Sequence, residues 1–116
     1  MKARVEEIVA VLRSYVIPAD NEAAMQSVIE RIMRIRNYDF RREVILSDAD
    51  RIDFMVGAIG LECKVAGTPA AVMMQCGRYL EHDAVESLIL VTTKATHRRI
   101  GYDSEKPFCV VLVGGF

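Results

Sequence analysis

Two acidic residues and a lysine in the middle of the chain have the types and spacing of a metal-dependent hydrolytic site. Asp53 lies in one apolar run, and Glu62 and Lys64 lie nine and eleven positions later in a second run. Carboxylate oxygens are ligands that Mg²⁺ and Mn²⁺ prefer, and a lysine beside them can orient a water or offset charge on a phosphate. The three residues therefore predict a divalent-metal site suited to phosphate chemistry.

The two apolar runs are expected to form neighbouring strands, which would bring the acids together. Residues 52–56 and 59–65 are separated by a two-residue turn, as in an antiparallel hairpin. Side chains alternate between the faces of a strand, so Glu62 and Lys64 should share one face, and Asp53 should meet Glu62 across the hairpin. The expected apolar sets on the opposite faces are Leu61, Cys63 and Val65 in the second strand, and Ile52, Phe54 and Val56 in the first.

A glutamine and a tyrosine follow on a predicted helix. Thr68-Pro69 is a typical helix start, because threonine caps the helix and proline suits its first position. Gln75 and Tyr79 are four residues apart, so they lie one turn apart on the same side of this helix, which should run to about residue 82. An ordinary amphipathic helix would give the same spacing, and for Tyr79 this structural interpretation is equally open.

The remaining patterns predict an α/β protein with one domain over residues 1–116. Apolar residues at three- and four-residue spacing predict a helix over 2–16 and a second helix of about fifteen residues capped by Asp20 or Asn21. The connection through the 68–82 helix is long enough for a parallel crossover, so we expect a mixed sheet with helices on both faces. The expected strands are 40–46, 52–56, 59–65, 86–93 and 108–113, and the three apolar helix faces include Val16, Ile35 and Met73.

The combination of Asp53, Glu62-x-Lys64 and Gln75-x-x-x-Tyr79 resembles the PD-(D/E)xK nuclease superfamily, including its branches with a QxxxY element. The resemblance covers roughly residues 20–95. Within it, the element order αβββαβ is that of the restriction-endonuclease-like core, to which this chain adds an N-terminal helix and a final strand. Two positions depart from the family pattern: Arg51-Ile52 stand where the proline that names the superfamily is expected, and Cys63 replaces the usual aliphatic residue.

The resemblance implies a nuclease that hydrolyses DNA phosphodiester bonds with Mg²⁺ or Mn²⁺ and leaves 5′-phosphate ends. Asp53, Glu62 and the backbone carbonyl of Cys63 would hold the metal, and Lys64 would position the water. Gln75 would lie close to the metal, with Tyr79 supporting it.

The resemblance also implies a further acid on the helix before the strands. Glu22 fits this role best, and Glu30 and Glu43 are the alternatives. A glutamate in the first turn of a helix is also favourable for purely structural reasons, so both interpretations of Glu22 remain open.

Charge and size constrain the partners. The formal net charge of −1 argues against a passive DNA binder that depends on overall charge. Two local basic clusters are either solvated faces or phosphate contacts: Arg31, Arg34, Arg36, Arg41 and Arg42 form one, and Lys94, His97, Arg98 and Arg99 form the other. With no room for a recognition domain, we expect recognition of DNA structure or ends, or targeting by a protein partner. By similarity to small members of the fold such as Holliday-junction resolvases, we expect a homodimer formed through apolar patches on the first helix.

The three cysteines form no zinc or disulfide pattern, and we expect reduced thiols in a cytoplasmic protein without a membrane span or signal peptide. Two other hypotheses remain. The first is a catalytically silent module of the same fold that binds DNA or assembles with partners, and the second is a small α/β protein unrelated to nucleases.

Overall fold

The computed structural model describes residues 2–114, which form three α-helices, a short 3₁₀ helix and five strands. The order of these elements confirms the predicted succession of helices and strands. In chain order they are α1 (Lys2–Arg13), α2 (Glu22–Ile35), β1 (Arg41–Ile45), β2 (Arg51–Val56), β3 (Ile59–Lys64), α3 (Pro69–Glu81), β4 (Ser87–Thr92), the 3₁₀ helix (Ala95–Arg99) and β5 (Phe108–Leu112).

The five strands form one mixed sheet, as predicted, and their order across it is β1-β2-β3-β4-β5. Short turns make β1, β2 and β3 antiparallel, whereas β3, β4 and β5 are parallel because helical segments carry the chain back between them. The carboxyl ends of the three parallel strands therefore lie at one edge of the sheet, together with the start of β2. We call this the carboxyl edge.

Helices cover both faces of the sheet. On one face α1 and α2 pack against residues such as Phe54, Leu61 and Val91, and on the other α3 packs against residues such as Ile52, Leu88 and Leu90. The caps of α2 and α3 are as predicted: Asn21 accepts a hydrogen bond from the amide of Ala24, and Thr68 accepts one from the amide of Ala71.

Three expected core residues are on the surface instead. The α1 helix ends at Arg13, where the Ser14 hydroxyl donates to the Val11 carbonyl, so Val16 lies beyond the helix and is 78% exposed. Ile35 is the last residue of α2, and Met73 points away from the sheet on α3, with exposures of 60% and 45%.

The apolar side of α1 is used inside the molecule. Its residues Val5, Ile8, Val9, Val11 and Leu12 are all buried against the rest of the chain. These five side chains are therefore not available to a second copy, and a homodimer formed through this helix stays a prediction. Within residues 2–114, no helix has both the length and the apolar character needed to cross a membrane.

Candidate functional site

The alternation of side chains along β2 is interrupted at Asp53. Ile52 packs on the α3 side of the sheet, whereas Phe54 and Val56 pack on the α1/α2 side. The expectation that these three residues share one face is therefore wrong. The register of β2 against β1 runs residue for residue across this position, so β2 changes face here without an inserted residue.

The neighbouring strand β1 changes face at the same level. Arg42 lies over the ring of Phe54 on one side, and Val44 packs against the α3 cluster on the other. Their pairing with Phe54 and Ile52 puts Glu43 opposite Asp53. Glu43 has φ of 48°, in the left-handed region that is unfavourable for residues other than glycine. The two irregular residues thus lie opposite each other, and the side chains of both strands change face at the same level.

The acidic pair lies where the pairing of β2 with β3 ends. The last paired residues are Phe54 and Leu61, although both strands continue towards the carboxyl edge. Beyond them, the amide of Cys63 donates to Oδ2 of Asp53 at 2.8 Å, and the amide of Asp53 donates to Oε1 of Glu62 at 3.3 Å. Carboxylates therefore take the place of the backbone carbonyls of a regular ladder, and each acid is fixed by the opposite strand.

Lys64 completes a charged set with this pair. Its Nζ lies 3.3 Å from Oε2 of Glu62, so the two residues share a face as predicted. Glu62 is only 3% exposed because α3 covers that face. The N–H and C=O of a strand residue point to the same side, so the carbonyl of Cys63, like its amide, points towards β2 and lies next to Asp53. We call this space between the ends of β2 and β3 the gap.

Burial makes the negative charges of this pair unfavourable. Burial raises the pKa of Glu62 well above its usual range, and the charge of Asp53 raises it further. Burial also raises the pKa of Asp53, with a contribution from the charge of Glu22, although the Cys63 amide and Lys64 act in the opposite direction. The site holds more carboxylates than ammonium groups, so it is short of positive charge.

Among the acids proposed for the upstream position, Glu22 is the one that faces this gap. It is the first residue of α2, and its Oε1 accepts a hydrogen bond of 3.4 Å from the amide of Val65, just beyond β3. Glu30 is engaged elsewhere, because it binds Arg34 and Arg42. Glu43 is exposed and lies 4.0 Å from Arg51.

Gln75 and Tyr79 form a chain of hydrogen bonds that ends at the start of β2. The Tyr79 hydroxyl, on a ring that is only 1% exposed, donates to the carbonyl of Arg51 at 3.0 Å. Nε2 of Gln75 donates to this hydroxyl at 2.9 Å. Burial and the nearby Glu62 raise the pKa of Tyr79. The hydroxyl of Tyr79 thus links Gln75 to the backbone at the start of β2, two residues before Asp53.

The donor set fits a hard divalent cation. Mg²⁺ is typically held by one or two carboxylates, with waters and substrate phosphate filling the other positions. Asp53, Glu62 and the Cys63 carbonyl could supply such a partial set. Over residues 2–114, no group of three or more His, Cys, Asp or Glu side chains surrounds a common metal position. The chain could thus supply an open site, and not a closed structural one.

A second charged cluster, formed by Asp50, Arg78 and His82, begins three residues before Asp53, and the sequence did not indicate it. Asp50, only 6% exposed, contacts Nε of Arg78 at 3.0 Å and Nε2 of His82 at 3.1 Å. Hydrogen bonds from His82, followed by those from Arg78, lower the pKa of Asp50. The available signal was the four-residue spacing of Arg78, in the last turn of α3, and His82, the residue directly after the helix.

Both basic clusters differ from their expected form. In the first, Arg34 and Arg42 are paired with Glu30, and the Arg42 guanidinium lies 4.5 Å above the Phe54 ring. In the second, His97 is completely buried and is not available to a ligand. Lys94 and its arginine neighbours are exposed.

Comparison with known proteins adds no relative. No protein-family model matches the chain, and neither the curated proteins nor the solved structures gave a significant match. The function must therefore be argued from the geometry of the site.

Proposed function

We propose that this protein is a metal-dependent nuclease that hydrolyses DNA phosphodiester bonds with Mg²⁺ or Mn²⁺. The observation that carries the proposal is the acidic pair at the open end of the β2–β3 ladder, where Asp53 and Glu62 are each fixed by the opposite strand. A lysine 3.3 Å from Glu62 adds the cation that a phosphate requires. The element order, which resembles the restriction-endonuclease-like core, also supports it.

The roles follow from what each group can donate or accept. Asp53, Glu62 and the Cys63 carbonyl would hold the cation, which when bound would polarise a phosphate oxygen and lower the pKa of a water. Lys64 would donate hydrogen bonds to the attacking water or the phosphate, where added charge develops. Tyr79, held by Gln75, fixes the start of β2 through the Arg51 carbonyl. Glu22 would bind a water at the rim of the site.

Cleavage of defined DNA substrates tests the proposal. Purified protein should cut at least one of single-stranded, blunt, overhanging or branched DNA with Mg²⁺ or Mn²⁺, and Asp53→Asn or Glu62→Gln should lower the rate by about 100-fold or more. Glu81→Gln is the matched control, because it removes an exposed carboxylate at the end of α3. Wild-type rates in either site variant, or equal losses in the control, would exclude this site.

Metal binding separates a nuclease from the silent module. Isothermal titration calorimetry with Mn²⁺ should show heat of binding for wild-type protein and the Glu81→Gln variant but not for Asp53→Asn. A protein that binds DNA but neither Mn²⁺ nor Mg²⁺, and that cuts none of the substrates, would be the silent DNA-binding or assembly module instead.

A further inference from the structure

The segment after β4 is held tightly beside the candidate site. The amide of Thr93 donates to the carbonyl of Lys64 at 3.2 Å, and its hydroxyl donates to the carbonyl of Val65 at 3.4 Å. The basic residues that follow Thr93 are therefore tied directly to the strand end that carries Lys64.

A buried histidine fixes this segment in a second place. Nε2 of His97 lies 2.8 Å from the carbonyl of Gly67, which can only accept, so Nε2 carries the hydrogen. Its Nδ1 lies 2.6 Å from the hydroxyl of Thr92, which also accepts from the amide of Lys94 at 3.0 Å. The 3₁₀ helix is thereby connected to the end of β4 and to the loop between β3 and α3.

Three cations of this segment remain free to bind a ligand. Lys94, Arg98 and Arg99 are exposed, and none forms an ion pair with a residue in the 2–114 range. No acidic residue lies between positions 87 and 102. The segment is thus a rigid positive patch at the carboxyl edge, and we call it the 94–99 patch.

We infer that the 94–99 patch binds the phosphate backbone of duplex DNA next to the bond that is cut. The inference rests on the proposed function and adds to it the surface that holds the substrate. Cations on a backbone held in place, with no internal partner, suit the regularly spaced phosphates of a duplex, and such contacts position the nucleic acid without reading its sequence. The fixed attachment to Lys64 sets the distance between these phosphates and the acidic pair.

Three arginines near the C-terminal end of α2 and the start of β1 provide a matched control. Arg31, Arg36 and Arg41 are also exposed and form no ion pair within the described range. Arg36 follows Glu22 by fourteen residues, which places it about 20 Å along the helix from the site. Removing these three charges changes the net charge of the protein as much as removing those of the patch.

Binding without cleavage tests the inference. Fluorescence anisotropy with a labelled duplex in EDTA measures the dissociation constant between about 0.05 and 0.2 M salt for wild-type protein, Lys94→Ala/Arg98→Ala/Arg99→Ala and Arg31→Ala/Arg36→Ala/Arg41→Ala. Each phosphate contact contributes about 0.9 to the slope of log affinity against log salt, so the first triple variant should lower the slope by about 2.7. Its affinity at 0.1 M salt should fall by roughly 100-fold or more. The second should change the slope by less than about 0.9, the value of one contact.

The same experiment identifies failure of the inference and of the proposed function separately. Equal slopes for the wild-type protein and the patch variant, or equal losses in the two triple variants, would overturn the inference even if the protein cuts DNA. Competition by poly-glutamate as effective as that by duplex DNA would also overturn it, because any polyanion would then suffice. If the protein cuts none of the DNA substrates but shows the expected slopes, the inference about the 94–99 patch would stand and the proposed nuclease activity would be rejected. Melting temperatures within about 2 °C of wild type would show that both variants are folded.

Discussion

Two buried acidic clusters lie three residues apart at the start of β2, and their charge balance is opposite. Asp50 is bound by Arg78 and His82, and these contacts lower its pKa. Asp53, which is half-buried, lies beside the buried carboxylate of Glu62, and burial raises the pKa of both acids. The first cluster satisfies its charge internally, whereas the second leaves a deficit of positive charge, as the proposed metal site requires. The comparison teaches that burial alone does not distinguish them, but charge balance does.

The largest expected effect is on the rate of DNA cleavage, and it should distinguish Lys64 in one cluster from Arg78 in the other. Lys64→Met and Arg78→Met each keep an apolar stem and remove a positive charge. Lys64→Met should lower the rate of DNA cleavage by about 100-fold or more, because it removes a group acting on developing charge. Arg78→Met should leave the cleavage rate within about twofold and lower the melting temperature instead. If the two variants had equal effects on the cleavage rate and on the melting temperature, the two clusters would not differ in function.

The acids themselves should differ in their contribution to stability. Asp50→Asn weakens charged hydrogen bonds to two partners and should lower the free energy of unfolding by about 2 kcal/mol. Asp53→Asn relieves repulsion with Glu62 and should change it by less than about 1 kcal/mol. Urea denaturation of the metal-free proteins measures both values. A larger loss for Asp53→Asn would mean that this acid is structural.

The pH dependence of stability should have opposite signs for the two clusters. The pKa of Asp50 is below its ordinary value of 3.8, so its stabilisation is full above that pH and is lost as the pH falls through the lowered pKa. The pKa of Glu62 is above its ordinary value of 4.5, so the folded protein retains a proton that the unfolded chain releases. Its contribution therefore declines as the pH rises from 4.5 through the raised pKa.

Unfolding free energies in EDTA test these signs. The difference between wild-type protein and Asp50→Asn should shrink only in acid, below about pH 4. The difference between wild-type protein and Glu62→Gln should change instead between about pH 5 and 8, in favour of the variant as the pH rises. The same sign for both differences would contradict the contrast in charge balance.

The smallest expected effect concerns the residue opposite Asp53. Glu43 has a φ of 48°, and asparagine tolerates this conformation better than glutamate. Glu43→Asn should therefore raise the free energy of unfolding by up to about 1 kcal/mol without changing the cleavage rate. A loss of stability would show that the carboxylate of Glu43 contributes more than its backbone strain removes.

The regular parts of the fold could be predicted from sequence, and the irregular parts could not. Glu62 and Lys64 were correctly placed on one face because β3 pairs along its whole length with β4 and keeps its alternation. The alternation of β2 is interrupted at Asp53, next to the irregular residue Glu43 on β1. Because the irregularity involves two strands, it could not be predicted from the sequence of β2 alone. Periodicity within one segment contains no information about such a partner.

The same limit applies to buried polar side chains. His97 looked like a member of a basic surface because its neighbours in sequence are charged. Its burial depends on the hydroxyl of Thr92 and on the carbonyl of Gly67, which is thirty residues away. Likewise, the contact of Tyr79 with the start of β2 depends on the approach of α3 to the Arg51 carbonyl. Helical spacing shows that two residues are neighbours but not which of them reaches the site.

The substitution of carboxylates for carbonyls in the β2–β3 ladder gives the site two spectroscopic probes. The amide protons of Asp53 and Cys63 are bonded to side-chain oxygens whose electron density changes when a proton or a cation binds to them. Their chemical shifts should therefore respond to Mg²⁺ or to pH, while the amides of Leu61 and Val56 farther along the hairpin stay unchanged. Two peaks in an amide NMR spectrum would then report occupancy of the site before any substrate is identified.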